Sequence, residues 1–227
     1  MDAAAATETA AVYTFAVDAD GIQCWYKDGK LHREGDQPAI IHPDGTSFWY
    51  KDGKLHRDDG PAEMWANGDK FWYRNGKRHR DGDEPAKIFD GNKCWYKNGK
   101  RHRDGDEPAE IWANGDRFWF KDGKRHRVTE SDQPASIWAD GTKFWYKDGK
   151  LHRDGDQPAE IDSDGSKYWY KDGLKHRVTE SDQPAEIWED GSMFWYKDDK
   201  LHRDGDRPAV IWANGSVEWW TNGERIK

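Results

Sequence analysis

"FWYKDGKLHRDDGPAEMWANGDKFWYRNGKRHRDGDEPA", residues 48–86, runs twice through one pattern. An aromatic triplet leads to an Asp-Gly or Asn-Gly turn, then a His-Arg pair, an acidic loop and a Pro-Ala step. Two-residue turns of this kind flanked by short apolar stretches are the local signature of a β-hairpin. A chain that repeats the signature repeats the structure.

The pattern extends in both directions from this stretch. Its central tryptophan recurs as Trp25, Trp49, Trp72, Trp95, Trp119, Trp145, Trp169, Trp195 and Trp219, in steps of 23 to 26 residues. The two longest steps have one cause, the insertion "VTESDQ" beginning at Val128 and at Val178. A loop that accepts two extra residues lies on the surface. One short step drops a residue before Asp90-Gly91, and another drops one at Asp58-Asp59-Gly60.

Each unit holds three short strand candidates. In the copy opening at Pro61, the first strand enters Asn67-Gly68, read as a two-residue type I′ turn. That register sets Met64 opposite Phe71 and Ala62 opposite Tyr73 on a buried side. Glu63, Trp65, Lys70 and Trp72 fall on the other side, because side chains alternate. A second I′ turn at Asn75-Gly76 sets Trp72 opposite His79 and Tyr73 opposite Arg78. Asn114-Gly115 and Asp140-Gly141 repeat the first turn. The recurring Pro opens a strand, where no ladder donor is lost. No stretch carries a 3.6-residue apolar period.

These features predict an all-β chain: an open, elongated, twisted array of antiparallel β-hairpin repeats with a period of about 24 residues. The alternative is a closed, propeller-like ring. A four-stranded blade takes about 40–45 residues, and nine units do not pair into blades. Residues 1–10 are expected to be a flexible Ala-rich tail. Residues 11–227 form a single array of about nine units whose first and last copies are worn caps.

The composition supports a fold without a thick aliphatic core. Apolar residues make up 34% and charged residues 35%, yet there are 15 Trp and 9 Tyr to bury. A net charge of −8 disfavours nucleic acid and anionic lipid as partners. The acidic start has no basic or apolar signal region, and no run is long and apolar enough to span a membrane. A cytoplasmic location is expected. Cys24 and Cys94 replace the aromatic before Trp, three repeats apart, so two separate buried thiols are expected and not a disulfide.

The segment "WYKDGKLHRDDGPA" (residues 49–62) and its copies resemble the MORN-repeat family, in a variant branch with a His-Arg…Asp-Gly-Pro-Ala ending. The resemblance rests on Gly53-Lys54-Leu55-His56, Gly76-Lys77-Arg78-His79 and Gly123-Lys124-Arg125-His126, each with an aromatic three residues before its Gly. It covers residues 13–227. Two departures stand out: Arg33, Arg57 and Arg80 occupy the place of a Gly after the His, and Phe48 and Phe71 occupy that of a Gly between the aromatics. The resemblance implies a single-layered hairpin stack used as a scaffold. Copies of this type in bacteria and large DNA viruses imply such a source, and a virion or host-cytoplasm location if the source is viral.

No residue pattern points to catalysis. The repeated His-Arg pairs are too far apart, at two or three strands per repeat, to share a metal. The acidic loops do not complete a calcium loop. Glu63, Glu110, Glu160 and Glu186 are equivalent copies, not a differentiated pair. The expectation is therefore a non-enzymatic chain with no cofactor and no metal. Its candidate binding face combines Trp65, Trp112, Trp138 and Trp188 with Trp72, Trp119, Trp145 and Trp195, and with His79, His102 and His126.

The expected function is scaffolding, with a protein partner docked on the repeat surface or with self-association. A first alternative is an aromatic platform for carbohydrate or a choline-like cation, because "NGDKFWYRNG" (residues 67–76) is similar to choline- and glucan-binding repeats. A second alternative is a structural component of an assembly such as a virion.

Overall fold

The computed structural model describes residues 10–127, 132–177 and 182–227. Most of the expected tail and most of both "VTESDQ" insertions lie outside the described residues. Among those described there are 35 strands and no helix. The chain divides into two compact units, residues 1–100 and 101–227.

In the first unit, antiparallel pairing follows chain order from Tyr13–Val17 through Gln23–Lys27, Ile40–Ile41, Ser47–Phe48, Glu63–Met64, Lys70–Phe71 and Lys87–Phe89 to Asn92–Cys94. In the second unit the same meander runs from Glu110–Ile111 to Val217–Glu218. Neither run returns to pair its last strand with its first, so each is an open array and not a ring. A separate short hairpin, such as Tyr73–Arg74 with Lys77–Arg78, projects from each repeat. It is tied to its predecessor by backbone bonds from Gly76 N–H to the Leu55 carbonyl at 2.8 Å and from Arg57 N–H to the Tyr73 carbonyl at 3.3 Å.

The projecting hairpin turns are of type I′, as the Asn-Gly and Asp-Gly pairs predict. Asn75 and Gly76 have φ of 51° and 77°, and Tyr73 faces Arg78. The sheet turns differ from the expected form. At Asn67-Gly68 only Gly68 has positive φ, and Trp65 N–H bonds to the Asp69 carbonyl at 3.0 Å. The loop thus holds three residues, a type I turn closed by a glycine bulge. Asn114-Gly115 and Asp140-Gly141 behave alike.

This one-residue difference corrects the predicted register. Glu63 pairs with Phe71 and Met64 with Lys70, and a slip of one residue exchanges the faces. Glu63, Trp65, Phe71, Tyr73 and Arg78 share one face. Ala62, Met64, Lys70, Trp72 and His79 share the other. The expected pairing of Trp65 with Trp72 on a common face therefore does not occur.

The core lies on the alanine face. Trp49 N–H bonds to the Ala62 carbonyl and Trp72 N–H to that of Ala86, which carries a ladder of Trp and Ala in alternation across the strands. In the second unit it runs Trp119, Ala135, Trp145, Ala159, Trp169, Ala185, Trp195, Ala209 and Trp219. All these alanines are 0–1% exposed. Between two indoles only a methyl fits. At about 25 cal/mol per Å² and ~150–250 Å² per side chain, each buried indole contributes roughly 4–6 kcal/mol before entropy is charged.

In most repeats an arginine closes the repeat against the previous one. Arg127 lies 4.0 Å over the Trp119 ring, and its Nε and Nη2 donate to the Asp106 carboxylate at 2.7 and 2.9 Å. Its Nη1 donates to the Pro134 carbonyl at 3.1 Å. Trp119 Nε1 donates to the Asp106 carbonyl at 3.2 Å, which completes the circuit. Arg57 with Trp49 and Asp36, and Arg177 with Trp169 and Asp156, repeat it. The worn last copy substitutes Lys227, which lies 4.8 Å over Trp219 and bonds to Asp206.

Candidate functional site

The projecting row of tryptophans is set by the sheet turn. Each of these residues is the last before the loop, where no further strand covers its outer side. Trp65 is 47% and Trp138 41% exposed, with Trp112 and Trp188 at 36%. The other half of the candidate face is on the far side of the sheet. Trp119, Trp145 and Trp195 are buried there and Trp72 is half-buried, each under its own arginine. The eight candidate tryptophans therefore form two rows with different roles, one packed and one open.

Neighbouring aromatics support the open row. Trp65 meets the edge of Phe48 at 5.7 Å between centroids, and Trp138 meets Phe118 at 5.7 Å. Trp188 and Trp212 contact each other at 5.9 Å. Equivalent positions in other copies carry His42, Phe89 and Asp162. Such edge-to-face contacts hold the indoles in place.

Carboxylates lie beneath this row. Glu63 and Glu160 are pushed above the usual carboxylate range, first by burial. Glu160 is raised further by Asp162 and Glu186 nearby, and burial together with Asp164 and Asp140 raises Asp162. Glu186 is neutralised locally: it takes Lys175 Nζ at 2.5 Å and Trp188 Nε1 at 2.5 Å. Glu110 is paired with Arg101. On the same face Arg125 lies 4.6 Å over Phe118 and reaches the Tyr146 hydroxyl. Burial, with Asp162 and Glu160 respectively, also raises the hydroxyls of Tyr168 and Tyr170.

The histidines occupy the alanine face and act as connectors. His79 N–H bonds to the Trp72 carbonyl, as the hairpin register predicts. Its ring does more than stand beside that Trp. His79 Nδ1 accepts the backbone N–H of Asn98 in the next repeat at 3.1 Å, and Nε2 meets Asp81 at 2.8 Å. His102 joins Asp122 N–H and Asp104 in the same way. His126 accepts from Asp148 N–H at 3.3 Å. An accepted N–H requires a lone pair on Nδ1, so the neutral ring carries its proton on Nε2. Each histidine thus bridges two repeats. Among the described residues no group of His, Cys, Asp or Glu gathers in metal-binding geometry. Cys24 is half-buried, Cys94 is buried, and neither is in a disulfide.

One further connector carried no obvious sequence signal. The residue ending each sheet turn accepts an N–H from the next turn: Thr46 Oγ1 from Ala66, Asp116 Oδ1 from Ala139, Ser166 Oγ from Glu189. The only trace is that Thr, Ser or Asp recurs two residues after the turn Asn or Asp. No helix in the described residues is long and apolar enough to cross a membrane. No family model and no curated protein matches the chain.

Proposed function

We propose that this chain is a non-enzymatic scaffold, of the MORN-like type its repeats resemble, that docks a protein partner along its open tryptophan row. The carrying observation is the exposure of Trp65, Trp112, Trp138 and Trp188 while the equivalent row on the other face is buried under arginine. Large exposed aromatics in a row are a recognition feature, because aromatic anchors dominate interface energetics. A repeat array adds length: every repeat offers a similar anchor on a rigid support.

The test compares wild-type protein with a Trp138→Ala/Trp188→Ala variant. Each is used to capture proteins from source lysate, and the purified captured protein is then titrated against both. Loss of at least about tenfold in affinity supports the reading, since one anchor typically contributes 1–2 kcal/mol or more. Equal affinity refutes it. The exposed indoles also suit a sugar or choline platform. Indole fluorescence that stays flat on titration with choline and glucans removes that second reading.

A further inference from the structure

The open row in the second unit consists of Trp112, Trp138, Asp162, Trp188 and Trp212, one position per repeat. Each repeat adds two strands to the sheet, so equivalent backbone positions recur every ~9.6 Å at ~4.8 Å per strand, although the rings of Trp188 and Trp212 lean together to 5.9 Å. An occupant that reads the row in register must present the same chemistry at that interval. The strands between the ends of the run are paired on both edges. An added β-strand has no free backbone to join there, so the occupant must lie across the face on side chains alone.

Repeat distance separates the remaining candidates. A β-strand returns to the same face every ~6.6–6.8 Å. An α-helix returns every ~5.4 Å, so two turns overshoot the row by more than ~1 Å per repeat. Polyproline II has three residues per turn and ~3.1 Å of rise, which gives ~9.3 Å. It also has no internal hydrogen bonds, and aromatic surfaces are its usual receptors.

Charge then selects the side chains. Within the row stands Asp162, with Asp140, Glu160 and Asp164 near it. The cations on this face, Arg101, Arg125, Lys175 and Arg225, are already engaged with Glu110, Tyr146, Glu186 and Glu218. Asp162 interrupts the tryptophans and sits near two other carboxylates, Asp164 and Asp140. Excess negative charge beside exposed indoles favours a cation, through both Coulomb attraction and cation–π contact.

We infer that the row of the second unit docks a proline-rich segment in the polyproline II conformation, with an arginine or lysine over Asp162 and pyrrolidine rings against Trp138 and Trp188. The inference rests on the docking reading above and adds the chemistry of the partner.

The test is calorimetric titration of the full chain with Pro₅-Arg-Pro₅, Pro₅-Glu-Pro₅ and Gly₅-Arg-Gly₅ peptides, in which the residues one turn either side of the central one are Pro in the first two and Gly in the third. The first is expected to bind at least about tenfold more tightly than either control, since one lacks the charge and the other the preformed helix. Asp162→Lys and Trp138→Ala should each weaken it by about tenfold or more. Lys143→Glu, on the opposite face, should leave it unchanged. Thermal denaturation confirms that each variant is folded.

Equal binding of Pro₅-Arg-Pro₅ and Gly₅-Arg-Gly₅, or indifference to Asp162→Lys, overturns the inference. If no peptide binds while Trp138→Ala/Trp188→Ala still releases a captured protein, docking stands and the polyproline assignment falls. If that double variant binds both peptide and protein normally, both fall.

Discussion

Replacing Arg127 by lysine keeps a charge and removes a shape, which isolates what the guanidinium contributes between repeats. Arg127 is 12% exposed and Asp106 49%. The stack on Trp119 contributes about 1 kcal/mol at such a site. The forked pair with Asp106 contributes about 1.5 kcal/mol once its half-exposed partner is discounted. The bond to the Pro134 carbonyl adds about 0.5–1 kcal/mol. Arg127→Ala should therefore cost about 3 kcal/mol. Arg127→Lys should cost about 2, because a flexible ammonium satisfies one of these contacts and not three. At roughly 2–4 °C per kcal/mol for a chain of this size, the lysine variant should melt about 4–8 °C lower. Urea denaturation with a double-mutant cycle against Asp106→Ala measures the coupling directly. Hydrogen exchange should show the loss at the Trp119 and Ala135 amides before distant repeats, as nearest-neighbour arrays require. A cost below about 0.5 kcal/mol for Arg127→Lys, or coupling below the same value, would refute the argument.

Acid should unfold the array in a defined window. The carboxyls of Asp81, Asp154 and Asp204 are held low first by His79, His152 and His202, and those of Asp36 and Asp106 by Arg57 and Arg127. Their contribution is fully present above the ordinary carboxylate range and is lost as pH falls through the depressed folded values, below about pH 4. Glu160 and Asp162 are raised and have the opposite sign, so Glu160→Gln should stabilise at pH 7 and lose that advantage on acidification; urea midpoints from pH 3 to 7 check both. Ala185→Val should cost about 1–3 kcal/mol by overpacking between Trp169 and Trp195, and an unchanged denaturation midpoint would contradict the ladder. Deleting Ala66 should cost no more than about 1–1.5 kcal/mol, the bond from its N–H to Thr46 Oγ1, with the hairpin amides still protected in exchange. Asp199 holds φ of 64° where other copies have Gly, and its carboxylate takes Lys175 N–H at 2.6 Å. Asp199→Ala should therefore destabilise by about 1 kcal/mol or more in thermal melts while Asp199→Gly stays near neutral.

The fold class was legible because the turn chemistry admits few solutions. Asn75-Gly76 names a turn with two left-handed residues, and both are found there. Asn67-Gly68 was ambiguous. The same dipeptide serves a two-residue turn and a bulged three-residue one, and strands of two residues are too short for alternation to decide. That slip moved Trp65 and Phe71 to the face opposite Trp72. The discriminating signal was present in the short copy. Phe89 to Asn92 lacks one residue, forms the two-residue turn, and still pairs Lys87 with Cys94 as Glu63 pairs with Phe71. A residue can be dropped without shifting the register only if the longer turn holds one to spare. The histidine and Thr/Ser/Asp connectors were not legible, since they join backbone of one repeat to side chains of another.

A chain that repeats itself also carries its own comparison. The buried position is Trp in every copy from Trp25 to Trp219, because its indole must at once flank an alanine, stack on a cation and, in most copies, donate to a loop carbonyl. No other side chain meets all three demands. The open position is not held to all of them, although Phe89 does carry Lys87 over its ring at 3.5 Å, and it varies: His42, Trp65, Phe89, Trp112, Trp138, Asp162, Trp188 and Trp212. Uniformity therefore marks structure here, and variation marks the surface on which copies are free to differ. A partner that bound only the uniform features would slide by one repeat at little cost. Asp162 breaks that degeneracy, since shifting a bound segment by ~9.6 Å would place its cation on an indole and a ring on a carboxylate. The least repetitive residue of the row is thus the one that sets the register of whatever binds it.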